Sequence, residues 1–169
     1  MLRPLLTPDW ISQGTLAQLE LSMFLERGIR ALVLDVDRTL LPRRQSSLPP
    51  AAETWLLEAR KQLPIHLLSN NPSRRRIGAV GRAVDLPFTA AAGKPRGSAL
   101  RRVLAELDLP HHQVALVGDR VFTDVLAGNR LGMFTVLVKP IAADGLPCRH
   151  DQLQGFERRM AHWLVSALP

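Results

Sequence analysis

Asp35 and Asp37, with only Val36 between them, follow directly on the apolar run Ala31 to Leu34. Side chains alternate along an extended strand, so this spacing aims two carboxylates the same way. Alone, Asp-x-Asp is a weak sign, because acidic turn residues commonly follow strands. Further polar stretches strengthen it. Ser69 and Asn70 follow the run Ile65 to Leu68, Lys94 stands in Gly93-Lys94-Pro95, and Gly118-Asp119-Arg120-Val121-Phe122-Thr123-Asp124 follows Val114 to Val117. Carboxylates gathered around one crevice repel each other unless a cation lies among them. An all-oxygen ligand set with few protein ligands and room for water suits Mg2+ better than zinc.

The elements that must position these residues alternate along the chain. Buried strands are expected at Ala31 to Leu34, Ile65 to Leu68, Val114 to Val117 and Phe134 to Val138, with a weaker one at Phe88 to Ala90. Helices are expected over Pro50 to Gln62, Ser73 to Val84, Pro95 to Leu107 and Thr123 to Leu131, several opening on Pro or on a capping Ser, Thr or Asp. Strands joined through helices pair in parallel by right-handed crossovers, which predicts a three-layer, Rossmann-like α/β fold. In such sheets the ligand crevice lies beyond the carboxyl ends of the strands, where Asp35, Ser69 and Asp119 fall. Two flanking amphipathic helices are expected, about 15–27 with Leu16, Leu19 and Met23, and about 152–166 with Phe156, Met160, Trp163 and Leu164. Each is read as covering the sheet, with a membrane-lying or partner-docking face as the other reading.

The 169 residues fit one domain, 1–169, and 46% hydrophobic content supplies its core. The formal charge is +7, and lysine occurs only at positions 61, 94 and 139, so the excess is guanidinium. Arginine forks onto carboxylates and phosphates, which favours an acidic or phosphate-bearing partner. A single cysteine, Cys148, excludes an internal disulfide, and no Cys/His spacing suggests zinc. Pro4, Pro8 and Asp9 interrupt the start, so no signal peptide is expected, and no apolar run reaches the roughly 20 residues of a membrane span. A cytoplasmic protein, with any membrane contact peripheral, is the expectation.

Asp35-Val36-Asp37-Arg38-Thr39, Ser69, Lys94 and Gly118-Asp119 with Asp124 resemble, in order and strand context, the four motifs of the haloacid dehalogenase (HAD) phosphatase superfamily. The resemblance covers about 31–138. It implies that Asp35 attacks phosphorus to form an aspartyl phosphate and that Asp37 serves as general acid and base. It further implies that Ser69 and Lys94 hold the transferring phosphoryl oxygens. Magnesium is assigned to Asp35, Asp119 and Asp37, the last through its backbone carbonyl, with Asp124 completing the metal shell or orienting Lys94. Thr39 and Asn70 support the loops, with ordinary capping as the alternative for Thr39 and Ser69. Arg38 departs from the pattern, since relatives commonly carry a small or amide residue there.

Many HAD phosphatases carry a cap domain. Here only residues 38 to 48 separate Asp37 from the next helix, and residues 70 to 93 separate Ser69 from Lys94, which one helix and a strand consume. An uncovered crevice favours a substrate too large to enclose, or an oligomer whose neighbour supplies a lid. Gly28-Ile29-Arg30-Ala31-Leu32-Val33-Leu34, Ser69-Asn70-Asn71 and Thr123-Asp124 through Arg130 make the chain resemble the capless class III group that includes phosphatidylglycerophosphate phosphatases. That likeness implies phosphatidylglycerophosphate as substrate and an anionic lipid head group as partner. Arg74, Arg75 and Arg76 occupy a first helical turn, where the macrodipole disfavours positive charge. Membrane, substrate and solvent are all open to them. A small soluble phosphate and a nucleic-acid end are the alternative substrates. Few aromatics, with no tyrosine, argue against a nucleic-acid-binding module.

Overall fold

A computed structural model of the chain describes residues 5–167. Six parallel strands form its sheet: β1 (Trp10–Ile11), β2 (Ala31–Leu34), β3 (Ile65–Leu68), β4 (Phe88–Thr89), β5 (Val114–Gly118) and β6 (Phe134–Leu137), in the order β1-β6-β5-β2-β3-β4. Leu34 stands opposite Leu67 on one side and Val117 on the other, so the carboxyl ends of β3, β2 and β5 lie in a row. The strands read as largely apolar runs, interrupted by His66, Thr89 and Thr135, because helices cover both sheet faces. Leu32, Leu34, Ala115 and Val117 face Trp55 and Leu56 of α2 (Pro50–Ala59) and Ile77 and Val80 of α3 (Arg74–Ala83). Ala31, Val33, Val114 and Leu116 face Leu100, Val103 and Leu104 of α4 (Ser98–Leu107) and Ala127 of α5 (Leu126–Arg130). This is the expected three-layer α/β fold. From β2 the chain winds outward through β3 and β4, then returns to lay β5 and β6 on the other flank. The crevice opens at that reversal.

The remaining differences have local causes. β1 is too short to show periodicity, but Asp9 N and Ser12 N bond Thr135 O and Leu137 O and pin its register. The first flanking segment is a 3-10 turn at Leu16–Gln18 followed by the short α1 (Leu21–Glu26), because Leu19 and Glu20 are extended between them. It does cover the sheet, with Leu16, Leu19 and Phe24 buried and Trp55 Nε1 donating to Leu19 O at 2.7 Å. α4 begins at Ser98 rather than Pro95, since Arg96 N closes a turn onto Gly93 O. The expected helix from Thr123 opens as a π-helical turn at Val121–Val125, and the regular α5 starts at Leu126.

The last helix, α6 (Gln152–Ala167), lies where expected but packs the other way round. Its inward contacts are largely polar: buried Glu157 accepts from Arg120 Nε and Val121 N, each at 2.9 Å, and Gln154 Nε2 donates to Asp119 O at 2.7 Å. Ala161 adds a small apolar contact with Val121, Val125 and Leu137. Phe156, Met160 and Trp163 face solvent.

Gly128 and Gly155 give opposite expectations for the same replacement. A Cβ on Gly128 would lie 2.5 Å from Thr135 Cγ2, so Gly128→Ala should lower stability by about 1–3 kcal/mol through overpacking of α5 on β6. On Gly155 a Cβ meets nothing within 4 Å, and Gly155→Ala should stabilise α6 by up to about 1 kcal/mol. Urea midpoints of the two variants check the pair.

Candidate active site

After β2 the chain turns tightly. Asp35 N still bonds Val117 O at 2.9 Å, and Val36 O then accepts from Thr39 N and Leu40 N while Leu40 and Leu41 plug into the core. Thr39 Oγ1 donates to Asp35 Oδ2 at 3.0 Å, which holds the carboxylate rather than merely capping a turn. Arg38 sits in this turn at φ 67°, a left-handed conformation that Gly and Asn adopt more cheaply. Its guanidinium is ion-paired with Asp151, and its Nε lies 3.4 Å from Asp119 Oδ2.

Lys94 is the hub. The Asn70 amide clamps its backbone from both sides, with Oδ1 accepting from Lys94 N at 2.8 Å and Nδ2 donating to Lys94 O at 2.9 Å. The buried Nζ donates to Asp35 Oδ1 at 2.6 Å, Asp124 Oδ1 at 2.7 Å and Leu68 O at 3.0 Å, using all three of its protons. Burial by itself lowers a lysine's pKa, but Asp124 and Asp35 more than offset it and hold Lys94 above its ordinary value. The ammonium stays charged.

Asp124 folds back over Gly118, where a Cβ would lie 2.3 Å from its carboxyl carbon; no other residue type fits there without displacing it. Its second oxygen accepts from Arg120 N at 3.2 Å, so the carboxylate orients Lys94 and is itself held at both ends. Asp119 is buried beside it, with Oδ2 lacking any hydrogen-bond donor. Burial, reinforced by Asp35 and Asp124, pushes the Asp119 carboxyl up to about 8. Burial likewise raises Asp35, to about 6, with Lys94 pulling against it. Asp35, Asp119 and Asp124 each offer an oxygen within 4.8 Å of the others. Clustered hard oxygens, one without a donor, fit a divalent cation. The Asp37 carboxylate lies outside this trio, turned toward Ser69 Oγ at 3.3 Å and Arg76 Nη1 at 2.6 Å, so a metal role for Asp37 is restricted to its backbone.

The three consecutive arginines separate. Arg74 and Arg75 are exposed, whereas Arg76 lies inside the crevice, with Nε donating to Gln45 O at 2.9 Å, Nη1 ion-paired with Asp37 and Nη2 buried without a hydrogen-bond acceptor. The helical rotation of α3 decides this, and charge pattern alone does not reveal it. The crevice measures about 460 Å³ and is also lined by Arg43, Arg44, Asn71, Thr123 and Leu153. Sequence reasoning missed Gln154 and Glu157, which reach back from α6 to Asp119 O and Arg120. Their only signal is a lone acid within a helix otherwise carrying basic charges.

Residues 91–153 match the HAD-hydrolase-like family. The probable phosphatase YqeG of Bacillus subtilis is 32% identical over 145 residues, covering 85% of this chain and 80% of that protein. The chloroplastic phosphatidylglycerophosphate phosphatase 1 of Chlamydomonas reinhardtii is 32% identical over 131 residues, covering 71% of this chain and 48% of that protein. Among solved structures, a protein of Streptomyces avermitilis MA-4680 assigned to the HAD family hydrolases superposes with a TM-score of 0.55 at 22% identity, over 70% of this chain and 80% of its own.

The raised carboxyls set a pH dependence. A carboxyl whose folded pKa is raised stabilises the protein below its unfolded value and loses that contribution as pH rises toward the folded value. For Asp119 the loss runs from about 4 to about 8. The metal-free protein should therefore lose thermal stability across that window, and a divalent cation should restore more at pH 8 than at pH 5.5. Melting with excess Mg2+ against a chelator checks it; a cation-induced gain that does not grow with pH contradicts the assignment.

Proposed function

The chain belongs to the haloacid dehalogenase superfamily and is a phosphatase of that family, and on that premise we propose that it is a Mg2+-dependent phosphomonoesterase whose substrate is phosphatidylglycerophosphate. The observation that carries the chemistry is Lys94 Nζ bonded at once to Asp35 and Asp124, beside the donorless oxygen of Asp119. Asp35, held by Thr39 and Lys94, attacks the phosphorus; the bond from phosphorus to the alcohol oxygen breaks as Asp37 donates a proton to that oxygen. Asp37 then takes a proton from water, whose oxygen displaces Asp35 and releases inorganic phosphate. The Ser69 hydroxyl and Lys94 Nζ, turning toward the substrate protons that they give to Asp37 and to Asp35 or Asp124 in the free protein, would hold the equatorial phosphoryl oxygens through the exchange. Magnesium, with oxygen ligands from Asp35, Asp119 and the Asp37 backbone, would offset the charge of the phosphoryl group against that of the acids.

The lipid substrate is supported by the shape of the mouth and by one relative's name. Only a short loop lies between β2 and α2, and only α3 with its flanking turns between β3 and β4, so no inserted domain covers the crevice there and the phosphate can be presented on a body that stays outside. Phosphatidylglycerophosphate carries a phosphodiester a glycerol away from its terminal phosphate. Arg76 Nη2, buried and without an acceptor, with exposed Arg43 and Arg44 at the rim, suits that second anion.

Phosphate release from phosphatidylglycerophosphate, sugar phosphates, nucleotides and phosphorylated nucleic-acid ends, with and without Mg2+, tests this reading. Phosphatidylglycerophosphate should be the best substrate, and Asp35→Asn should abolish release from every one; equal release by wild type and Asp35→Asn would remove Asp35 as nucleophile. Arg76→Gln should lower kcat/KM roughly 10- to 100-fold for substrates with a second anionic group, the worth of a charge-assisted hydrogen bond. Monoanchored alkyl phosphates should lose several-fold less in the same assay.

A further inference from the structure

We propose that the outer face of α6 is a docking surface that lies in the head-group layer of an anionic lipid bilayer and brings the crevice mouth against it. Leu153, Phe156, Met160 and Trp163 recur at i, i+3, i+7 and i+10, which aligns them along one stripe of the helix about 15 Å long. They are 41, 50, 38 and 66% exposed. The inward face, which a helix packed on a sheet normally makes apolar, carries Gln154 and Glu157 and is fastened by hydrogen bonds to Asp119 O, Arg120 and Val121 N. The inversion leaves four large apolar side chains partly open to solvent. It also holds them rigidly beside the site.

Position and charge select the occupant. Leu153 belongs both to the stripe and to the crevice wall, so whatever covers the stripe also meets the mouth. Glu157, the sole acid of α6, is buried, while Arg158 and Arg159 within the helix and Arg149 just before it are exposed. Leu146, 60% exposed, adds apolar surface in the segment leading into the helix. Large apolar residues with Arg159 beside them on the helix and Arg149 just ahead of it, a tryptophan among them, match an interfacial helix on anionic lipid. A second copy of this chain would set arginines against arginines. Among the described residues no helix is long and apolar enough to cross a membrane, so the contact is peripheral. The surface deepens the lipid reading of the adjacent site and rests on it for the source of the anionic charge.

Flotation of the full chain with vesicles of phosphatidylcholine alone, or of phosphatidylcholine mixed with phosphatidylglycerol, tests the proposal. Wild type should float with the mixed vesicles, and the triple variant Phe156→Gln, Met160→Gln, Trp163→Gln should bind roughly tenfold more weakly or worse. All three side chains lie outside the crevice, so hydrolysis of p-nitrophenyl phosphate should stay within about twofold of wild type and report an intact fold. In wild type, independently of any variant's folding, the exposed Trp163 indole should shift its emission to the blue on vesicle addition, a shift absent in Trp163→Phe. Wild type that ignores anionic vesicles, a triple variant that binds as well as wild type, or a wild-type dimer that the triple variant dissolves would each overturn the docking surface. Binding without phosphate release from phosphatidylglycerophosphate upholds the surface and removes only the substrate. Release from detergent-dispersed phosphatidylglycerophosphate without vesicle binding upholds the substrate and removes the surface.

Discussion

The contact of Lys94 with Asp35 and Asp124 is the constraint around which the rest is arranged. Three carboxylates, Asp35, Asp119 and Asp124, are buried at the strand ends with one buried ammonium. Fully ionised, that group carries two uncompensated negative charges in a region that solvates charge poorly. Arg38 and Arg120 offset part of it from the rim, and a proton or a divalent cation must take up the remainder. The upward shifts of Asp119 and Asp35 are the protein's own account of this deficit. Apolar side chains of similar volume in place of the buried charges would remove this cost.

The fold serves that contact through topology. Parallel pairing of β3, β2 and β5 in register brings Ser69, Asp35 and Asp119 together from positions far apart in sequence. The Asn70 amide pair fixes the loop carrying Lys94, and Gly118 clears the space into which Asp124 folds. These supports cost little individually. Together they hold Nζ within 3 Å of three acceptors, which random loop sampling would not do.

Much of this arrangement was legible because Asp35, Ser69 and Asp119 each directly follow a run long enough to be a buried strand, although Lys94 and Asp124 do not. Asp35, Ser69 and Asp119 are located by that rule without any contact map. What escaped depends on rotation and on distant neighbours. Three arginines in a row look equivalent, yet the phase of α3 sends Arg76 into the crevice and leaves Arg74 and Arg75 in solvent. The spacing of Phe156, Met160 and Trp163 identifies a stripe but says nothing of which way it faces. Glu157 decides that, since its bonds to Arg120 and Val121 N pull the polar side inward. Arg38 is the same kind of case: its backbone is strained in the turn, and only Asp119 and Asp151, brought close by the fold, show what its side chain does there.

Charge is sorted radially, and that sorting reconciles a strongly basic chain with an acidic reaction centre. The acids converge at the strand ends while Arg43, Arg44, Arg74, Arg75, Arg149, Arg158 and Arg159 lie exposed. A phosphate dianion approaching from solvent is attracted at long range by the arginines, and screening limits that attraction to about one Debye length. Within the crevice it meets carboxylates that repel it. Lys94 offsets only part of that repulsion, its three protons being donated to Asp35, Asp124 and Leu68 O, and Arg38, Arg76 and Arg120 of the crevice wall are already drawn to Asp119, Asp151, Asp37 and Glu157. The outer charge can therefore raise the local concentration of an anion but does not complete its binding; a further positive charge among Asp35, Asp119 and Asp124 would lower the repulsion that the anion meets there.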